Sequence, residues 1–177
     1  MHDTERIRRI RDGNERAFEQ LFRHYGQALV HFAHTYVRDL SIAENLVQDV
    51  FVAVWENRAT LNPDCSIKSY LYTATKNRAL KHLRHEEVTR KNRENIDLYS
   101  VGPSTPDDLL SHDELAAAIG RAIEALPEKC RLVFKMNRFD HLTYAEVAEV
   151  LEISVKTVET QMGRALHALR HALFEEE

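Results

Sequence analysis

Ten histidines make metal chemistry the first possibility to weigh. His31/His34, His82/His85 and His167/His171 stand three or four residues apart, a spacing that puts two imidazoles on one helix face. A zinc-hydrolase helix also needs HExxH, and a di-iron bundle needs Glu-x-x-His, because a carboxylate must act as base or complete the ligand set. Neither pattern occurs in the chain. Cys65 and Cys130 are too few and too far apart for a cysteine ligand cluster or a disulfide framework. The sequence therefore predicts no metal and no cofactor.

A different chemistry, hydrogen bonding to base edges, is available near the C-terminal end. Mapped as a helix at 100° per residue, Lys156, Thr160, Gly163, Arg164 and His167 share one face, with Glu159 and Arg170 beside it. Val158, Met162, Ala165, Leu166, Leu169 and Leu173 form the opposite, apolar stripe. Arginine can bond guanine in bidentate fashion, glutamate can accept from cytosine N4, and threonine can touch a thymine methyl. The first turns of a recognition helix reach base edges, so Lys156, Thr157, Glu159 and Thr160 lead the candidates, joined by Arg164 and His167. Ser154, at the helix start, suits a phosphate.

An ordinary helical hairpin with a solvated outer face would show the same stripe. The punctuation favours DNA. Thr143 and Glu146 make a T-x-x-E capping box, Ala148 is small enough for close packing, and Ser154 is placed to cap a second helix after a turn following Leu151. Glu152 occupies a turn position usually given to glycine, which tolerates positive φ.

The formal net charge is −4, so the distribution of charge matters more than its sum. Residues 66–93 carry eight basic side chains against two acidic ones, a local balance of +6. Such a segment can neutralise phosphates and release their counterions, or simply be a solvated face.

The elements that must hold these groups read as all-α, with no run of alternating strands and only five Gly and four Pro to interrupt helices. Phe18, Leu21, Phe22, Tyr25, Leu29, Phe32, Ala33 and Tyr36 mark a first amphipathic helix. A second is expected from about Ile42 to Arg58, with Ser41 as N-cap and Glu44 completing a capping box. Asn62-Pro63-Asp64 signals a turn, and a third helix opens near Ser66 with Ile67, Tyr70, Leu71, Ala74 and Leu83 on or near one face. From Glu94 to His112 periodicity disappears and the composition is that of a linker. Leu115, Ala118, Ile119, Ala122 and Leu126 restore it, and Pro127 is expected in the first turn of a helix to about Arg138 that buries Cys130, Val133 and Phe134. Two small helical domains follow, residues 1–90 and 113–177, joined by a flexible linker over 91–112. No stretch is long and apolar enough to span a membrane and no secretory leader is recognisable, so a cytoplasmic protein is expected.

With the motifs in place, residues 10–173 resemble a bacterial sigma-70 family factor of the extracytoplasmic-function (ECF) type, which joins a σ2 domain to a σ4 domain. SIAENLVQDVFVAVWENR is similar to the region 2 helix that binds the polymerase clamp, SYLYTATKNRALKHLR to the helix after the −10 recognition loop, and LPEKCRLVF with TYAEVAEVLEISVKTVETQMGRAL to region 4. The resemblance implies a monomer when free that binds core RNA polymerase, with Asn45, Gln48 and Asp49 as contacts. It implies single-stranded −10 DNA on Asn62, Asp64, Ser66, Lys68, Lys76, Asn77, Arg78, Lys81 and Arg84. Duplex −35 DNA would lie on Ser154, Lys156, Thr157, Glu159, Thr160, Arg164 and His167. It further implies control by an anti-sigma factor, which the VKTVET start suggests is membrane-anchored. Lys81 departs from the acidic residue that many members carry, and Glu152 from their glycine. Two rival readings stay open: a sigma-like protein that titrates an anti-sigma factor, and a conventional helix-turn-helix regulator.

Overall fold

The computed structural model describes residues 3–91 and 114–174. Of the linker expected over 91–112, Lys91 is the last residue of α4 and the rest lies outside the described residues, as does Leu115's side chain. Among the described residues every regular element is helical: α1 (Asp3–Arg11), α2 (Glu15–Val37), α3 (Leu40–Glu56), a 3-10 turn (Arg58–Thr60), α4 (Ile67–Lys91), α5 (Glu114–Glu124), α6 (Glu128–Arg138), α7 (Tyr144–Leu151) and α8 (Val155–Phe174).

In the N-terminal set, α2 lies against α3 and α4, and α1 packs on α2 and beside the 3-10 turn. Leu21, Leu29 and Phe32 of α2 meet Val47, Val50, Phe51 and Val54 of α3 and Leu71 and Tyr72 of α4 in a core almost free of solvent. Burying a side chain of this size stabilises by about 1.5–3 kcal/mol. Local signals fix the boundaries. Asn14 Oδ1 accepts from the Ala17 N–H at 2.9 Å to start α2, and Arg38 ends it in the left-handed region at φ 55°.

Several expectations need correction. Helix α1 has no counterpart in the pattern reading, although Ile7 and Ile10 are fully buried. The α3 cap is Asp39, whose Oδ1 accepts from the Ile42 N–H at 3.0 Å, so Ser41 sits inside the helix. That helix ends at Glu56, and the expected last residue, Arg58, begins the 3-10 turn. Tyr70 faces solvent at 45% exposure while Tyr72 is buried, because Leu71 and Thr75 set the inward stripe of α4.

In the C-terminal set, α8 crosses α5, α6 and α7. The inward residues of α6 are Cys130, Val133, Phe134 and Met136, and Pro127 is the N-cap rather than a residue of the first turn. Ile123 takes the buried place expected for Ile119, which is 37% exposed. Val158, Met162, Ala165 and Leu169 form the buried stripe of α8, but Leu166 lies 43% exposed at its edge. The two sets are in contact: α7 packs along α4.

Candidate nucleic-acid interface

Two helices carry the candidate contacts, and each is positioned by side chains close to it in sequence. The turn that aims α8 starts from a complete capping box. Thr143 Oγ1 accepts from the Glu146 N–H at 3.2 Å, and Glu146 Oε2 accepts from the Thr143 N–H at 2.8 Å. Glu152 ends α7 in the left-handed region at φ 56°. Ser154 Oγ then accepts from the Thr157 N–H at 3.0 Å, capping α8, and lies 2.8 Å from Thr157 Oγ1. Buried Ala148 and Val158 lock the pair of helices together.

This frame leaves Ser154, Lys156, Thr157, Glu159, Thr160, Arg164 and His167 exposed on α8. Lys156 Nζ pairs with Glu159 Oε2 at 3.1 Å, and the Thr160 hydroxyl donates to the Lys156 carbonyl at 2.9 Å. Arg164 makes no ion pair among the described residues and edges a shallow hollow with Cys130 and Gln161. A Cβ on Gly163 would meet nothing within 4 Å, so internal packing does not explain this glycine. It leaves the middle of the face flat.

The second set begins at the loop before α4, which hangs between two buried anchors, Leu61 and Ile67. Asn62 and Asp64 are exposed in it, and Asn62 Oδ1 accepts from the Asp64 N–H at 3.0 Å, an Asx-type turn that shapes the tip. Along α4 the cations split between two faces. Lys68, Tyr72 and Lys76 follow at intervals of four residues, whereas Asn77, Lys81 and Arg84 project roughly 120–180° away from Tyr72. Asn77, Lys81 and Arg84 are exposed. Arg78 is half-buried and its Nη1 lies 3.2 Å from Asp49 Oδ2 on α3.

The other α4 face is occupied by the C-terminal set. Ser66 Oγ donates to Glu146 Oε1 at 2.7 Å, Lys68 Nζ to the His141 carbonyl at 2.9 Å, and Lys76 Nζ lies 2.8 Å from Glu152 Oε1. Lys76 is 5% exposed, an unusual state for an ammonium group and one that demands a partner. Burial works against ionisation of Glu146, but the Thr143 N–H, the Ser66 and Thr143 hydroxyls and Lys68 together hold its carboxyl below the usual range. The hydrogen bond and charge of Lys76 do the same for Glu152. Asp140 behaves oppositely: burial raises its pKa, outweighing Tyr72, His31, His141 and Lys68. Burial also raises the Tyr72 hydroxyl, with the Asp140 charge adding to the effect.

On α3, Asn45, Gln48 and Asp49 form an exposed edge. Gln48 also lines a groove with Phe22, Arg23, Gln27 and Val30 of α2. The α2 wall was missed in the sequence because Phe22 fits the apolar period. It is 43% exposed, with its ring edge-on to Phe51 at 4.9 Å. Among the described residues no group of three or more His, Cys, Asp or Glu side chains could hold a metal ion, and no helix is long and apolar enough to cross a membrane.

Comparison with known proteins matches this layout. Residues 21–88 match Sigma-70 region 2 and residues 116–169 match Sigma-70, region 4. The ECF RNA polymerase sigma factor RpoE of Cereibacter sphaeroides is 31% identical over 168 residues, covering 93% of this chain and 91% of the relative. The RNA polymerase sigma-H factor of Pseudomonas aeruginosa is 26% identical over 180 residues, covering 97% and 93%. Among solved structures, CnrH in complex with the cytosolic domain of CnrY is similar in fold, with a TM-score of 0.62, 24% identity and 99% coverage of both chains. So is RpoE in complex with the anti-sigma factor NepR from Bartonella quintana, at 0.66, 21%, and 90% and 98% coverage.

Proposed function

This chain belongs to the ECF group of the sigma-70 family, the RNA polymerase sigma factors that direct promoter-specific transcription initiation, and we propose that it divides that work between its two sets of helices. Residues 1–90 bind core polymerase and capture the −10 strand, residues 91–112 tether, and residues 113–177 read the −35 duplex. The observation that carries this assignment is the capped α8 face. Lys156, Thr160, Arg164 and His167 stand together in solvent on a helix whose start is fixed by Ser154, the arrangement a major-groove reader requires.

Asn62, Asp64, Asn77, Lys81 and Arg84 supply the exposed polar and cationic surface for single-stranded DNA, joined by Arg78, Ser66, Lys68 and Lys76. Asn45, Gln48 and Asp49 contact the polymerase, and the α2 wall of the neighbouring groove extends that surface. The chain itself supplies no catalytic group, since nucleotide addition belongs to the polymerase, and it works in the cytoplasm. The two solved relatives were captured with CnrY and with the anti-sigma factor NepR. Their likeness supports a partner of the same kind here.

Run-off transcription on a genomic fragment library, with core polymerase and with or without the protein, tests the proposal. New discrete transcripts are expected only when the protein is present. Absence of both transcripts and core binding would refute it.

A further inference from the structure

Thr160 stands at the centre of the exposed α8 face. Lys156, Thr157, Gly163, Arg164 and His167 all lie within about 60° of it in helical projection. Its hydroxyl is already committed, donating to the Lys156 carbonyl at 2.9 Å, one turn back in the same helix. The Thr157 hydroxyl is likewise engaged, 2.8 Å from Ser154 Oγ, and the Lys156 ammonium is held by Glu159 at 3.1 Å. The start of the face therefore satisfies its hydrogen-bonding groups internally. With the Thr160 oxygen turned to the backbone, the free substituent on its Cβ is the methyl group. Gly163 keeps the neighbourhood of that methyl open. Glycine inside a helix costs stability relative to alanine, yet a Cβ here would meet nothing within 4 Å, so internal packing does not demand it. An exposed methyl bordered by bare backbone is a socket for an apolar group on a base edge. The major groove offers one such group, the C5 methyl of thymine.

We propose that Thr160 reads a thymine of the −35 element by methyl contact rather than by hydrogen bonding, and that Gly163 admits the base to it. The rival role for Thr160 is acceptance from the amino group of adenine or cytosine through the lone pairs its hydroxyl keeps. A back-bonded hydroxyl is held against the helix, whereas the methyl is not. Hydrogen-bond reading on this face then falls to Arg164, one turn further on. This inference rests on the assignment of α8 to the −35 duplex.

Two pools of duplexes of about 20 base pairs, randomised at their centre, test the contact, one made with thymine and the other with uracil in its place. The full-length protein, alone and bound to core polymerase, selects from each pool, and the retained duplexes are sequenced. At one position thymine should be enriched about fourfold more than uracil is at the same position of the second pool, the value of one methyl removed from water. Guanine preferences should be the same in both pools. Thr160→Ser, which keeps the back-bonding hydroxyl and deletes the methyl, should erase the difference between pools. Thr160→Val, which keeps a methyl and deletes the hydroxyl, should retain it. Both changes are on the surface and should melt close to wild type. Gly163→Leu favours the helix and should melt no lower than wild type, yet it should lose the difference by closing the socket. Equal enrichment of thymine and uracil by the wild type would overturn the methyl contact. So would a thymine preference kept in Thr160→Ser and lost in Thr160→Val, which would assign the contact to the hydroxyl. A difference kept in Gly163→Leu would overturn the role given to Gly163. Enrichment of no sequence from either pool would overturn the assignment of α8 to the −35 duplex, a failure distinct from that of the methyl contact.

Discussion

Asp49 and Arg78 hold one another across α3 and α4, Oδ2 to Nη1 at 3.2 Å, joining the edge assigned to polymerase with the helix assigned to the −10 strand. Both side chains keep solvent contact, at 63% and 37% exposure, so the pair adds at most about 1 kcal/mol to stability. Asp49→Ala and Arg78→Ala should therefore each melt close to wild type. A larger loss of transcription than of stability, measured on the same preparations, would mark the residues as functional. A melting shift of many degrees would assign the pair to the fold instead.

On α8, Arg164→Ala should weaken binding to the cognate −35 duplex by ~1–3 kcal/mol if the guanidinium reads a base. Titration against a scrambled −35 duplex checks this, because an equal loss there would reduce the contact to a phosphate.

The capping box gives a prediction about stability rather than recognition. Thr143→Ala removes an acceptor for the Glu146 N–H and should cost about 1 kcal/mol. In the core between α7 and α8, Met162→Ala should cost about 2–5 kcal/mol, since Met162 is 2% exposed and the cavity cannot collapse freely. Urea denaturation of both variants should rank them in that order.

Asp140 gives a pH test with a definite sign. Its folded pKa is raised, chiefly by burial, so its ionised form destabilises the packed state at neutral pH, and this penalty fades as pH falls through the raised value. Asp140→Asn should therefore melt higher than wild type at pH 7.5, with the gap closing towards the ordinary carboxylate pKa of about 4. Glu146 and Glu152 have lowered pKa values and oppose this trend: their contribution is present above the ordinary carboxylate range and is lost on acidification. Comparing variant with wild type at each pH cancels that shared background. A gap that stays constant with pH would exclude titration of Asp140 as its cause.

Sequence reasoning reached the helices and the α7–α8 turn because their signals are local. Thr143 with Glu146, and Ser154 with Thr157, are bonded within three residues, and the α8 stripe repeats at helical period. It erred where two local solutions compete, as at Asp39 and Ser41, which are both competent caps two residues apart. It missed α1, where four arginines mask the pair of isoleucines that supplies the buried face. It identified Glu152 as unusual without finding the reason, because Lys76 lies 76 residues away and only tertiary packing joins them. The split of the α4 cations between a covered and an open face was likewise illegible, since both faces look equally basic until a second set of helices covers one.

The small helix at the start of the chain has a consequence for strand capture. Ile7 and Ile10 are sealed in the core, and α1 packs beside the 3-10 turn from which the loop to α4 departs. Within that turn Arg58 lies over the Trp55 ring at 4.5 Å and donates to its carbonyl. The rim of the loop is thus ordered when the protein folds, not when DNA arrives, and less entropy remains to be lost on binding. Preorganisation of the loop assigned to the −10 strand would then depend on α1, which lies outside every surface assigned to DNA.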